Sequence, residues 1–443
     1  MRMQMLKNFV PSRAVIVYHS LIARVAAVRA GRPSRKLLVI GVTGTKGKST
    51  TVAMLAHTLT VLGERVAFSS TVQWGMLGKT WPNRSKMTMP GRGELQRFLQ
   101  RAVRAGCTAV VLEVSSEGLR QGRHLGIAFD GAVFLNLTPE HIEAHGSFRN
   151  YRHAKERVFA SLNRSWRKKL NGKSIPTVIA ANVDDPNAFH FLRHAADQYV
   201  AWSVQGTDVR TLPRLQVMQA TDVIADAQGC SFHCGAAVVR FPLLGMHNVS
   251  NAMGVVSILQ GFGYDISAIG KALSSFTGVP GRMEEVQLNA PFRVFVDYAH
   301  EPASLQAAYA AARLLQPKRL LVLLGSQGGG RDVAKRSVMG ALAAEHADVV
   351  VVTNEDPYDE QPEKIIADVA DAAASVGKAI VYRITDRREA ILRMLQLAKP
   401  GDVLLLTGKG GEEVMAVAGG KLVPWDDRRV IHEEFENLAK RAN

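Results

Sequence analysis

"LLVIGVTGTKGKSTTVAML", residues 37–55, decides the fold. An apolar run, "KLLVIGV", reads as a buried strand, and a helix is expected from Lys48 to about Leu62. Between them lies Gly41-Val-Thr-Gly44-Thr45-Lys46-Gly47-Lys48-Ser49-Thr50. Glycines at this point let backbone N–H groups approach a phosphate, Lys48 can reach the β- and γ-phosphates, and Ser49 can ligate Mg²⁺. Val42 stands where the usual G-x-x-x-x-G-K-[ST] loop has its first glycine. An ordinary glycine-rich strand–helix turn is the alternative, and the G-K-S-T ending argues against it.

Outward from the loop, short apolar runs alternate with helical stretches to about residue 280. "RVAFSS", "TAVVLEV" and "GAVFLNL" read as strands of a mainly parallel sheet. Ligands bind beyond the carboxyl ends of such strands, which is where Glu113 and Asn136 fall. Residues 213–243 alternate instead like hairpins and are expected to form a small antiparallel side sheet; a helix follows from about His247. Near 285 the strand–helix alternation restarts with "FRVFVDYAH", then "RLLVLLG", "ADVVVVT", "AIVYRI" and "DVLLLTG". The expected fold class is α/β: a basic amphipathic segment over 1–36, a P-loop-type central domain over 37–284, and a Rossmann-like α/β domain over 285–443.

The 443 residues are 47% hydrophobic, enough for large cores in two or three domains. There is no apolar run long enough to span a membrane. The first residues do not read as a secretory signal, because His19, Arg24 and Arg29 interrupt the apolar stretch. Three cysteines make no disulfide framework, which fits a cytoplasmic location. The net charge of +16 is unevenly spread, with no Asp or Glu before Glu64. Nucleic acid is one explanation, but no zinc finger, RNA-recognition signature or basic-aromatic repeat accompanies the charge. An anionic membrane surface or an anionic ligand suits the basic N-terminal stretch equally well. Cys230, His233 and Cys234 alternate along a strand without further ligands, which argues against zinc.

The loop's G-T-x-G-K-[ST]-[ST] form resembles that of the Mur ligases and the related folylpolyglutamate synthases. Further motifs agree in order along nearly the whole chain: "EVSSEGL" at 113–119, "FLNLTPEHIEAHGSFRNYRHAKERVF" at 134–159, "LLGMHNVSNAMG", "VPGRMEEV", "VDYAHEPASL", "RDVAKRSVMG" and "GKGGEE". On these the chain is identified as a member of the Mur ligase family, nearest the branch that adds an amino acid to a muramoyl dipeptide.

That resemblance implies an ATP-dependent amide ligase of peptidoglycan precursor synthesis working through an acyl phosphate, with ADP and phosphate as products. The implied catalytic residues are Lys48, Glu113, His141 and Lys155. Gly44 to Thr50 with Asn248, Asn251, Arg282 and Asp297 would bind ATP. Ser49, Glu113, His141 and a carbamylated Lys155 would hold Mg²⁺ at two sites. The implied substrate-facing set is Thr88, Ser115, Arg123, His300, Arg331, Glu355, Asp356, Tyr358, Gly408 and Glu412. "SQGGGRD" at 326–332 is expected to be a loop beside the amino-acid site rather than a second nucleotide site. The partners implied are a muramoyl-peptide-like acceptor and an amino acid, with no nucleic acid.

Departures from the family pattern bear on the substrate. The diaminopimelate enzymes carry D-N-P-R where this chain has Glu355-Asp356-Pro357-Tyr358, and Tyr358 offers no bidentate cationic fork. That puts diaminopimelate in doubt, although Arg331 could compensate. G-K-G-H-E has become Gly408-Lys409-Gly410-Gly411-Glu412, and the acids of D-H-L-D are Glu140 and Glu143. Family members also place a UDP-gripping domain, of roughly a hundred residues, before the loop; residues 1–36 are too short for it. A short amphipathic helix is expected there, packing on the ATP domain, lying on a membrane or binding an anionic acceptor. Two rivals stand beside this reading: an amide ligase for folate-like, poly-glutamyl or lipid-linked acceptors, and a nucleotide-binding regulator without catalysis.

Overall fold

The computed structural model describes residues 12–442 apart from 86, 92, 140–144, 165, 208–213 and 331–332. His141 and Arg331, together with Glu140 and Glu143, lie outside the described residues. The chain divides into two compact units. The first comprises residues 1–224, 231–242 and 247–277; the second comprises 225–230, 243–246 and 278–443.

In the first unit, helix α1 (Ser12–Arg29) precedes strand β1 (Leu38–Thr43) and helix α2 (Lys48–Val61). Strands β2 (Val66–Ser69), β3 (Gln73–Met76) and β4 (Lys79–Pro82) follow, then α3 (Glu94–Arg104), β5 (Ala109–Glu113), α4 (Ser116–Arg120), β6 (Gly131–Phe134) and α5 (Phe148–Ala160). After the small hairpin β7 (Lys168–Leu170) and β8 (Lys173–Ile175) come β9 (Val178–Asn182), α6 (Ala188–Leu192) and β10 (Gln198–Ser203). Then come β11 (Leu215–Asp226) and β12 (Gly229–Cys234), whose turn residues 225–230 are grouped with the second unit, followed by β13 (Ala237–Phe241), α7 (His247–Gly261) and α8 (Ile266–Leu273).

One eleven-stranded sheet runs β13-β12-β11-β10-β9-β6-β1-β5-β2-β3-β4. β1, "LVIGVT", is buried along its whole length, as a parallel strand covered on both faces must be. It lies between β5 and β6, parallel to both, in a register that pairs Val42 with Glu113 and Thr43 with Phe134. The connection from β5 crosses to the far side of β1, so the strand order reverses at β1 and leaves a crevice at its carboxyl end. The hairpin-like strands expected over 213–243 are present. They continue the central sheet, because β11 pairs in parallel with β10. Cys230 and Cys234 on β12 are buried thiols, and burial pushes Cys230 up to about 12.

The second unit contains β14 (Glu284–Val286), β15 (Arg293–Val296), α9 (Pro302–Arg313), β16 (Leu320–Leu324), α10 (Lys335–His346), β17 (Val349–Val352) and α11 (Pro362–Val376). It continues through β18 (Ile380–Arg383), α12 (Arg387–Leu397), β19 (Val403–Leu406), β20 (Val414–Val417), β21 (Lys421–Pro424) and α13 (Asp427–Ala442). Its sheet has the order β14-β15-β19-β16-β17-β18 and is parallel except for β14. One core, with Leu305, Met339 and Ile366, seats α9, α10 and α11 on one face. A second core, with Ile391 and Val430, seats α12 and α13 on the other, giving a doubly wound arrangement.

Candidate functional site

The loop between β1 and α2 is held from three sides within the first unit. Thr45 N and Lys46 N both donate to Asn136 Oδ1, at 3.1 and 2.9 Å, and Asn136 Nδ2 donates back to Lys46 O at 3.2 Å. Thr45 Oγ1 accepts from Thr138 N at 3.0 Å and meets Tyr151 Oη at 3.1 Å. Lys155 Nζ, on the buried face of α5, donates to Gly44 O at 2.7 Å and lies 4.7 Å from the Tyr151 ring centroid. Lys48 Nζ, at the first position of α2, donates to Thr45 O at 2.7 Å. Thr50 lies in the first turn of the same helix.

Gly47 adopts φ +82°, and an added Cβ would stand 2.2 Å from Asn251 Oδ1. The loop therefore needs glycine here for conformation and for space. Asn251 Nδ2 in turn donates to Asn248 Oδ1 at 3.0 Å, so α7 brings both asparagines to the loop. Ser49 Oγ donates to Glu113 Oε2 at 2.7 Å, and Glu113 also accepts from Thr71 N at 2.7 Å and Thr71 Oγ1 at 2.9 Å. Thr71 Oγ1 lies 2.7 Å from Thr88 Oγ1, which extends the network to Thr88.

Ser49 and Glu113 are both buried. A hydroxyl and a carboxylate are the hard oxygen donors that Mg²⁺ takes, with phosphate and water completing its octahedron. Among the described residues no group of three His, Cys, Asp or Glu could hold a metal alone. The glycine cradle and this donor pair fit a nucleotide phosphate with Mg²⁺.

Two other expected residues are occupied structurally. Ser115 Oγ caps α4 by accepting from Gly118 N at 3.2 Å. Arg123 donates to Met89 O and, at 2.6 and 3.0 Å, to Gln121 Oε1; burial lowers its pKa. Thr138 and Tyr151 lie within the motif at 134–159, but their contacts with Thr45 are set by the fold, and Thr71 carries no motif of its own.

The second unit has a separate polar cluster at the carboxyl ends of its strands. Lys409 Nζ donates to Asp356 Oδ1 at 2.9 Å and Glu412 Oε2 at 2.6 Å. Asp356 Oδ1 also accepts from Ala416 N at 2.7 Å. Beside them Glu355 is buried, and neither carboxylate oxygen has a hydrogen-bond partner among the described residues. Burial raises it to about 7 against the opposing pull of Lys409 and Arg387. Gly408, at φ +98°, leaves the room it fills, since an added Cβ would stand 2.3 Å from Glu355 Oε2. Arg387 is bidentate to Asp427, with Nε–Oδ1 at 2.8 Å and Nη2–Oδ2 at 2.7 Å, and also donates to Asn354 O and Thr407 O. Sequence reading missed this buried pair, whose members are forty residues apart.

Tyr358 takes φ +51° at the end of the acidic turn. Close packing accounts for two glycines of this loop, since a Cβ at Gly328 would lie 2.1 Å from Pro357 O and one at Gly325 would lie 2.9 Å from Glu355 Cβ, while Gly329 and Gly330 take positive φ. Arg282 lies 4.5 Å from the Tyr298 ring centroid. Asp297 accepts from Met283 N and Ala299 N, both at 2.7 Å, and His300 Nδ1 lies 2.7 Å from Tyr298 O.

Two family models match the chain: the Mur ligase middle domain over residues 42–259, and the Mur ligase, glutamate ligase domain over residues 281–410. The chain is 35% identical over 444 residues to the UDP-N-acetylmuramyl-tripeptide synthetase of Roseiflexus sp. (strain RS-1), covering 96% of this chain and 84% of that protein. It is 37% identical over 415 residues to the UDP-N-acetylmuramoyl-L-alanyl-D-glutamate--2,6-diaminopimelate ligase of Trichormus variabilis (strain ATCC 29413 / PCC 7937), covering 92% and 78%. A solved structure of a UDP-N-acetylmuramoyl-L-alanyl-D-glutamate--2,6-diaminopimelate ligase aligns with TM-score 0.62 at 28% identity, covering 91% of this chain and 79% of that one.

Proposed function

Because the chain belongs to the Mur ligase family, whose members are ATP-dependent acid–amino-acid ligases, we propose that it adds an amino acid to the carboxylate of a muramoyl-peptide acceptor. The observation that carries this is the Ser49–Glu113 pair beside a phosphate loop clamped by Asn136, Tyr151 and Lys155. ATP supplies the phosphoryl group that activates the acceptor carboxylate, and Mg²⁺ spreads its charge. Lys48 and the N–H groups of residues 44–50 would hold the phosphates, Ser49 and Glu113 the metal, and Asn248 and Asn251 the nucleotide. Arg282 and Asp297 are assigned to ATP phosphate and ribose.

A second Mg²⁺ is assigned to His141 and a carbamylated Lys155. A carbamylated lysine keeps one N–H on Nζ, so its bond to the Gly44 carbonyl can persist. Thr88, Ser115, Arg123, His300, Arg331, Glu355, Asp356, Tyr358, Gly408 and Glu412 are assigned to the acceptor and the amino acid. The acid-rich turn, with Glu355, Asp356 and Glu412 around Lys409, supports an incoming amino acid with a cationic side chain. No helix among the described residues is long and apolar enough to cross a membrane. A cytoplasmic location, and peripheral contact of residues 1–36 with a membrane surface, belong to this reading.

The test is phosphate release from ATP and Mg²⁺ with UDP-N-acetylmuramoyl-L-alanyl-D-glutamate and a panel of lysine, ornithine and diaminopimelate, with Lys48→Ala as control. The expected result is release that needs both the acceptor and one amino acid, with lysine or ornithine ahead of diaminopimelate. Release with no member of the panel removes this acceptor and leaves folate-like, poly-glutamyl and lipid-linked carboxylates.

A further inference from the structure

Helix α1 packs by a narrow edge. Ala23 and Ala27 are buried, and Cβ atoms added at Gly93 and Gly126 would stand 2.8 and 2.5 Å from the Cβ atoms of Ala26 and Ala27. The opposite edge presents Val17, Tyr18, Leu21, Val25 and Val28, exposed by 66%, 57%, 62%, 40% and 59%. With 3.6 residues per turn, these five side chains fall within an arc of about 100°, bordered by Arg24 on one side and Arg29 on the other. An apolar stripe between basic borders is the pattern of a helix lying in a membrane interface. Scattered exposed apolar residues need no explanation, but a continuous stripe does.

The stripe leads into a cavity of about 390 Å³ lined by Arg24, Val28, Arg32, Arg35, Arg164 and Trp166. Arg24 and Val28 belong to both. The guanidinium carbons of Arg35 and Arg164 lie over the Trp166 ring, 4.7 and 4.8 Å from its centroid, within cation–π range. Behind this wall Asp130 is buried and already engaged by Lys168 Nζ at 2.5 Å, Arg164 Nη2 at 3.0 Å and Val39 N at 2.9 Å. Arg24, Arg32 and Arg35 form no ion pair among the described residues. Ser34 and Gly126 to Ala128 also line the cavity, just before β1 and β6 begin. It therefore opens at the amino ends of these strands, and the phosphate loop follows the carboxyl end of β1.

We propose that this face docks on an anionic membrane, with the stripe among the lipid chains and a lipid phosphate in the arginine cavity. This deepens the membrane reading of residues 1–36 and rests on it. Charge complementarity selects this occupant: the sequence has no carboxylate before Glu64, and guanidinium groups pair bidentately with phosphate.

The experiment is co-sedimentation of the full chain with phosphatidylglycerol-containing or phosphatidylcholine-only vesicles. Three double variants are compared: Leu21→Ser/Val25→Ser in the stripe, Arg32→Ala/Arg35→Ala in the cavity, and Lys79→Ala/Arg104→Ala as an exposed basic control. ATP turnover without vesicles checks that each is folded. Binding only to the anionic vesicles, weakened about tenfold or more by the stripe and cavity variants and much less by the control, is the expected result. Loss with the stripe variant alone, or equal loss with cavity and control variants, overturns the phosphate site and leaves the membrane reading standing. No vesicle binding overturns both. Calorimetric binding of inorganic phosphate or glycerol phosphate that needs Arg32 and Arg35, without vesicle binding, makes the cavity a site for a soluble anion. Self-association abolished by the stripe variant, without vesicle binding, assigns the face to a second copy of the chain.

Discussion

Ser49 and Glu113, sixty-four residues apart in the chain, meet at the phosphate loop through a 2.7 Å hydrogen bond. Their meeting is a consequence of the β1–β5 register, which ends both strands at one level. Glu113→Gln keeps the side-chain shape and removes the charge. The variant should need more Mg²⁺ for half-maximal phosphate release and turn over about 100-fold more slowly, with an unchanged far-ultraviolet circular dichroism spectrum. Unaltered Mg²⁺ dependence would remove Glu113 from the metal site.

Gly47 faces two obstacles to substitution, its φ of +82° and Asn251 Oδ1 at 2.2 Å from a Cβ. Gly47→Ala should cost about 1–3 kcal/mol of stability and weaken nucleotide binding. Adding Asn251→Ala removes the collision and leaves the backbone strain, so the double variant should regain part of the stability lost. A double-mutant cycle in chemical denaturation reads this coupling directly. Strict additivity would place the strain elsewhere.

Lys155 is buried and supports the loop through the Gly44 carbonyl. Lys155→Met removes the donor and leaves that carbonyl without it, at about 1–3 kcal/mol. Turnover should fall about 100-fold or more, and intact-protein mass spectrometry under carbon dioxide should show an adduct on the native chain that the variant lacks.

Glu355 supplies a pH signature. Burial raises its pKa to about 7, above the usual carboxylate value of 4.5. Between those values the folded state holds a proton that the unfolded state has released. Its contribution is therefore complete below about 4.5 and declines as pH rises towards about 7. Glu355→Gln cannot ionise and should flatten that part of the stability–pH curve. Denaturation midpoints at a series of pH values decide this, and an unchanged slope assigns the proton to another group.

The sequence alone carried the strand–loop–helix unit, the alternation of the two sheets and the family motifs, because these are local or repeat at short spacing. Lys48, Ser49, Glu113 and Asn251 were legible for that reason. Position within the sheet was not. Strands 215–241 read correctly as hairpin-like, but only pairing between β10 and β11 joins them to the central sheet. Asn136, Tyr151 and Thr71 support the site through contacts from distant parts of the chain.

Glu355 shows the same division in the second unit. Its place in the acidic turn can be read from the chain, but its burial, with no hydrogen-bond partner among the described residues, depends on Gly408 leaving room beside it. The apolar residues and arginines of α1 are likewise plain in the sequence. Tertiary packing decided which of them face outward, by spending the alanine edge on Gly93 and Gly126. Composition and local pattern determine which elements form. Register, burial and the closeness of backbones determine which side chains meet, and those depend on contacts between distant parts of the chain.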